Sequence, residues 1–145
     1  MAEIESLVGR ALLGFGNAEF LLDHLLYKIG LTQSKFEFMG NINTGVKMKE
    51  YRAKVAESGF DKTEELIELM DEVDCFRELR NSLAHSMILK SMSNEELYIK
   101  HRFKSSKTGV QRFTESFTRA ELERQIQEFS ETRRRLNGML REYQV

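Results

Sequence analysis

The sequence predicts an all-α protein, an up-and-down bundle of about four main helices with a small β-hairpin inserted before the last one. Three observations carry that expectation. Apolar residues recur at threes and fours through long stretches, the period of one buried helical face. There is no proline, so nothing breaks helices of that length. From about residue 88 to about 117 the period falls to two, the spacing of strands. At 145 residues a single helical domain, 1–145, is expected, with the hairpin as its insertion.

The first helix is expected from about Glu3 to Ile29. Ile4, Leu7, Val8, Ala11, Leu12, Phe15, Ala18, Leu22, Leu25, Leu26 and Ile29 form one broad stripe. Leu13, Phe20 and Tyr27 make a second apolar set on the opposite side. A helix apolar on two sides calls for two partners, its own core and a second subunit. Gly9 and Gly16 flank Leu13, either for a close backbone approach or as tolerated surface glycines. Gly30 closes the helix as a left-handed cap. Residues 31–43 form a loop from which Phe36, Phe38 and Met39 fold back onto the core.

Thr44 to Ser58 is a shorter second helix with Val46, Met48, Tyr51 and Val55, stopped by Gly59. Asp61 is the expected N-cap of the third helix, with Glu64 in capping-box position. That helix runs to about Met87 on Leu66, Leu69, Val73, Phe76, Leu79, Leu83 and Met87. Leu97, Ile99, His101 and Phe103 then alternate with Tyr98, Lys100, Arg102 and Lys104. Ser105 to Gly109 turns the chain, and Val110 to Phe117 returns it with Phe113 and Phe117 on one face. Ile88 to Met92 is compatible with a further short strand. Thr118 caps the last helix, with Glu121 completing the box. Leu122, Ile126, Phe129, Leu136 and Leu140 are its buried stripe, and Arg133, Arg134 and Arg135 cluster on its later turns.

Composition narrows the function. A net charge of −1 excludes a generally basic nucleic-acid binder, so any such binding needs a local patch. The single cysteine, Cys75, excludes an intrachain disulfide and fits a reducing compartment. It is read as a half-buried small residue. No apolar run reaches the roughly 18 residues of a membrane span, and no signal-peptide pattern opens the chain. A cytoplasmic protein is expected. His24, His85 and His101 lack metal-ligand spacing, and there is no Gly-rich phosphate loop, so no metal or cofactor is expected.

The third helix ends on Arg80-Asn81-Ser82-Leu83-Ala84-His85. Asn81 and His85 are four apart and share a face, while Arg80 lies about 140° round from His85 at the edge of the apolar stripe. A cation, an amide and an imidazole thus sit beside a buried surface. This stretch resembles the Arg-x4-6-His motif of the HEPN superfamily, small helical domains of prokaryotic toxins, defence proteins and RNA-processing factors. Asn81 is the polar residue that the motif prefers straight after its arginine. The resemblance covers about a dozen residues at the end of a long helix; the rest of the chain matches in architecture only.

Members with an intact motif are metal-independent endoribonucleases that act as dimers; others are catalytically silent binding or scaffold modules. The resemblance therefore implies RNA as substrate, a homodimer, no cofactor, an antitoxin or regulatory partner, and Arg80, Asn81 and His85 as the catalytic set. The chemistry agrees with the residue types. A histidine titrates near neutrality and can move the 2′-hydroxyl proton. A guanidinium offers two oxygens of a phosphorane a forked, permanent charge. Without the motif, an arginine and a histidine in a last turn simply complement the helix dipole, and a plain helical dimerisation protein is the third reading.

Two supporting sets complete the reading. Glu19 lies on the rim of the first helix's stripe, either reaching solvent or facing Arg80, and Arg77 lies on the polar flank of the third helix. Asp74 and Glu78, four apart, repel, so one of them needs a partner elsewhere. The hairpin has no acid between Leu97 and Thr114 but carries Lys100, Arg102, Lys104, Lys107 and Arg112, with Tyr98, Phe103 and Phe113 interleaved. Such a ribbon can follow an RNA backbone; lysines on strand edges also block edge pairing.

Overall fold

Residues 2–32 and 44–143 are described by a computed structural model. The chain runs α1 (Ala2–Lys28), α2 (Thr44–Glu57), α3 (Thr63–Ala84), β1 (Met87–Lys90), β2 (Leu97–Ser106), β3 (Gly109–Thr118) and α4 (Arg119–Glu142). The helices enclose one core. The broad stripe of α1, with Leu22, Leu25 and Leu26 fully buried, packs against α4 and α3, while α2 inserts Met48, Tyr51 and Val55 against α3. Phe76 of α3 and Phe129 of α4 stack face to face at 3.9 Å between ring centroids, which fixes the distance between those two helices. No described helix is long and apolar enough to cross a membrane.

The strands form a three-stranded antiparallel sheet in the order β1-β2-β3. The four helices and the strands before the last one stand as expected, but the protein is mostly helical α+β, and the expected all-α class is corrected. The third strand comes from Met87–Lys90, which pairs Met87 with His101 and Lys90 with Tyr98. Met87 was expected to prolong the α3 stripe. Instead the helix ends at Ala84, and the following backbone groups are satisfied by β2 rather than by another helical turn.

Other local expectations divide. Gly30 has φ 81, as a left-handed cap requires. Thr118 accepts from the Glu121 backbone and the Glu121 side chain from the Thr118 backbone, a complete capping box. The box expected at Asp61 is absent. Lys62 is the N-cap and makes no side-chain cap bond, while Asp61 Oδ1 accepts the Tyr143 hydroxyl at 2.8 Å. Cys75 is exposed rather than half-buried, on the rim of a groove between α3 and α4 floored by Phe76, Leu79 and Phe129. Phe36, Phe38 and Met39 lie outside the described residues.

The second side of α1 is partly exposed. Leu13 is 71% exposed, Phe20 42% and Tyr27 43%. A Cβ placed on Gly9 or Gly16 would touch nothing within 4 Å. The arginine cluster of α4 is spread over three tasks. Arg133 covers Gly14 on α1, Arg134 pairs with Glu131, and Arg135 reaches Glu65, Glu68 and Glu72 at 3.6–3.8 Å.

Candidate functional site

The last two turns of α3 lie between α1 on one side and the sheet on the other. Arg80 is half-buried at the α1 seam. Its Nη1 donates to Asn81 Oδ1 at 2.9 Å, and its guanidinium carbon lies 5.5 Å from the centroid of the Phe15 ring. A cation over an aromatic face is held electrostatically as well as by packing. Glu19, one turn beyond Phe15 on α1, adds a negative field. No carboxylate among the described residues comes within ion-pair distance of Arg80, so most of its N–H donors stay free. Phe15 was read from the sequence only as core. Its four-residue spacing from Glu19 is the signal that the pair would meet Arg80 together.

Burial raises the Glu19 carboxyl above its ordinary 4.5; Arg80 lowers it and the neighbouring Asp23 raises it further. The folded protein thus binds this proton where the unfolded chain has lost it. Stability falls as pH rises from 4.5 through the raised value. Glu19→Gln is expected to raise the melting temperature at neutral pH and to lose that advantage below the ordinary value, where wild type is protonated in both states. An unchanged pH–melting profile would refute the assignment.

His85 is the C-cap of α3. Its backbone N–H bonds Asn81 O at 3.1 Å, and its exposed ring makes no hydrogen bond among the described residues. Five residues at about 1.5 Å and about 100° each place it about 7.5 Å along the axis and about 140° round from Arg80. Asn81 Oδ1 is engaged by Arg80, so the amide meets His85 through the backbone alone. Arg80, Asn81, Phe15 and Glu19 are brought together; His85 is presented outward, apart from them.

Arg77 belongs to another neighbourhood. Its Nε donates to Asp74 Oδ1 at 2.9 Å, and its guanidinium lies 3.1 Å from where a Cβ on Gly45 of α2 would be. Asp74 also has Arg52 at 3.9 Å, which settles which acid of the Asp74–Glu78 pair finds a partner.

The five hairpin cations separate by strand register. Residues of β2 and β3 that pair share a face, so Tyr98, Lys100, Arg102 and Lys104 lie with Phe117, Glu115, Phe113 and Gln111. This face turns toward α3, and Lys100 is only 6% exposed. Its ammonium lies 3.3 Å from Glu115 Oε2 and 5.5 Å from the Phe117 ring centroid. Lys104 sits 5.3 Å from the Phe113 centroid. With Ser82 of α3 and Ser86 just past its end, Lys100, Arg102, Lys104, Phe113 and Glu115 line a cleft of about 320 Å³. Lys107 is at the exposed tip, and Arg112 on the outer face is 2.9 Å from His101 Nδ1. Phe103 is also on the outer face, 61% exposed. The two serines were missed in the sequence; Ser82 lies in the last turn of α3 and Ser86 in the bend that leads into β1, and only the fold brings both to the cleft.

Comparison with protein-family models, curated proteins and solved structures returns no match. Fold and site together define a mostly helical α+β domain with a fixed guanidinium, an exposed imidazole and a cationic cleft around the end of one helix.

Proposed function

We propose that the chain is a HEPN-like, metal-independent endoribonuclease of toxin or defence type that works as a homodimer. The observation that carries the reading is Arg80: a guanidinium held by Phe15 and Asn81, with no ion pair among the described residues, on the helix whose end presents His85 to solvent. In this reading the 2′-oxygen attacks the adjacent phosphorus as its proton passes to one imidazole. The phosphorus–O5′ bond breaks, and O5′ takes a proton from a second imidazole. The products are a 2′,3′-cyclic phosphate and a 5′-hydroxyl. Arg80 offsets charge on the equatorial oxygens. One chain offers one motif histidine, set apart from its own Arg80, so the second is His85 of the partner subunit.

The partly exposed side of α1 supplies a contact for that pairing. Leu13, Phe20 and Tyr27 recur every seven residues, the spacing at which one helix seam meets another. Light scattering is expected to give a dimer, and Leu13→Glu a monomer with lost cleavage. A concentration-independent wild-type monomer would remove the composite site. The separation of Arg80 from His85 within one chain also favours the second reading, a silent HEPN-like module that binds an antitoxin, regulatory protein or other ligand. RNA cleavage in the presence of EDTA, wild type beside His85→Ala, decides between them.

A further inference from the structure

We propose that the cleft between the end of α3 and the inner face of the hairpin is a phosphate-binding site. Lys100, Arg102 and Lys104 line it against one acid, Glu115, leaving two positive charges in excess. The negative end of α3 is worth about half a charge and does not cancel them. Lys100 is the unusual member. A lysine this buried calls for compensation, and it has one exposed carboxylate and one ring. Glu115, its side chain 72% exposed, occupies with one oxygen the position an incoming anion would take.

Ser86 gives a second, independent signal. Its Oγ is buried and makes no hydrogen bond among the described residues, and the residue lines the same cleft. A buried hydroxyl without a partner is costly, and a phosphate oxygen would satisfy it. The forked donors of Arg102 match two oxygens of the same group. At the mouth, Phe113 is 47% exposed and offers a ring for one base to stack on. A phosphate with an unpaired base beside it is the repeating unit of single-stranded RNA, or a free nucleotide. The proposal rests on the ribonuclease reading only for the choice of the strand, which would cross from this cleft around α3 to His85.

The test titrates the full chain with inorganic phosphate, and its His85→Ala form with a single-stranded oligoribonucleotide. Phosphate is expected to shift the backbone amide resonances of Ser86 and Lys100, and Lys100→Met or Arg102→Gln to abolish those shifts. Each substitution is expected to weaken the oligonucleotide about tenfold, the loss of one charge-assisted bond. Each should also flatten its salt slope by about 0.7. Glu115→Gln should tighten both ligands. Phosphate shifts lost in the variants with oligonucleotide affinity unchanged would assign the cleft to a small phosphate ester. Folded variants that bind both ligands as wild type does would overturn the proposal. Arg102→Gln, at the more open position, carries the test if Lys100→Met does not fold. Cleavage separates the two readings. Wild-type cleavage with indifferent cleft variants sinks the cleft alone; phosphate bound at the cleft by a protein that cuts no RNA sinks the nuclease alone.

Discussion

RNA cleavage is expected to fall on the order of 10²–10⁴-fold in His85→Ala, the range for loss of a positioned proton-transfer group. The protein should remain folded. The ring is exposed and makes no hydrogen bond among the described residues, and the cap contact of His85 uses only its backbone. The loss should appear in kcat, because in the proposed reaction the imidazole acts on the proton in flight rather than on the bound strand. In the proposed dimer, two such groups from two chains, one as base and one as acid, would give a bell-shaped pH profile. His85→Ala should flatten both limbs, chelators should change nothing, and the upstream product should end in a 2′,3′-cyclic phosphate. Activity that survives His85→Ala would transfer the reading to the silent binding module.

What could be read from the sequence follows the range of the interactions. The Thr118 box and the Gly30 cap are closed within a few residues, so residue type and spacing sufficed. Asp61 and Glu64 have the same spacing as Thr118 and Glu121, yet the aspartate bonds Tyr143, 82 positions away. No local pattern contains that competitor. β1 was legible only in part: Ile88 to Met92 allowed a short strand, but four residues are too few to establish alternation, and a continued helix explains Met87 equally well.

The sheet shows a second limit. Alternation separates two faces of β2 but does not say which turns inward. Leu97, Ile99 and Phe103 are the more apolar set, yet Tyr98 and Lys100 are buried. Tyr98 pairs with Phe117 across the ladder, their rings 5.7 Å apart, and this aromatic pair seats the sheet on the helices. Lys100 follows two residues later onto the same face. The cleft and its serines are therefore consequences of register. Arg80, Asn81 and His85 could be singled out as candidates because they are close in sequence on one helix end, whereas the ring beneath Arg80 comes from α1 and needed the fold.

Arg80→Lys is expected to cost on the order of 10²-fold or more in cleavage, as when a charge-stabilising donor is withdrawn from a transition state. The substitution keeps a cation beside the Phe15 ring and Glu19, so folding and dimerisation should hold. It removes the planar fork. An ammonium cannot keep a bond to Asn81 Oδ1 and also present two parallel donors to a phosphorane. Because the phosphorane's charge develops only in the reaction, kcat should fall with little change in KM. Asn81→Ala, which leaves the fork but loosens it, should cost less. Arg80→Met removes a neighbour that lowers Glu19, so its carboxyl should titrate higher still, a shift visible by NMR without any RNA. Arg80→Lys cleaving at the wild-type rate would leave the guanidinium as a structural cation between α1 and α3.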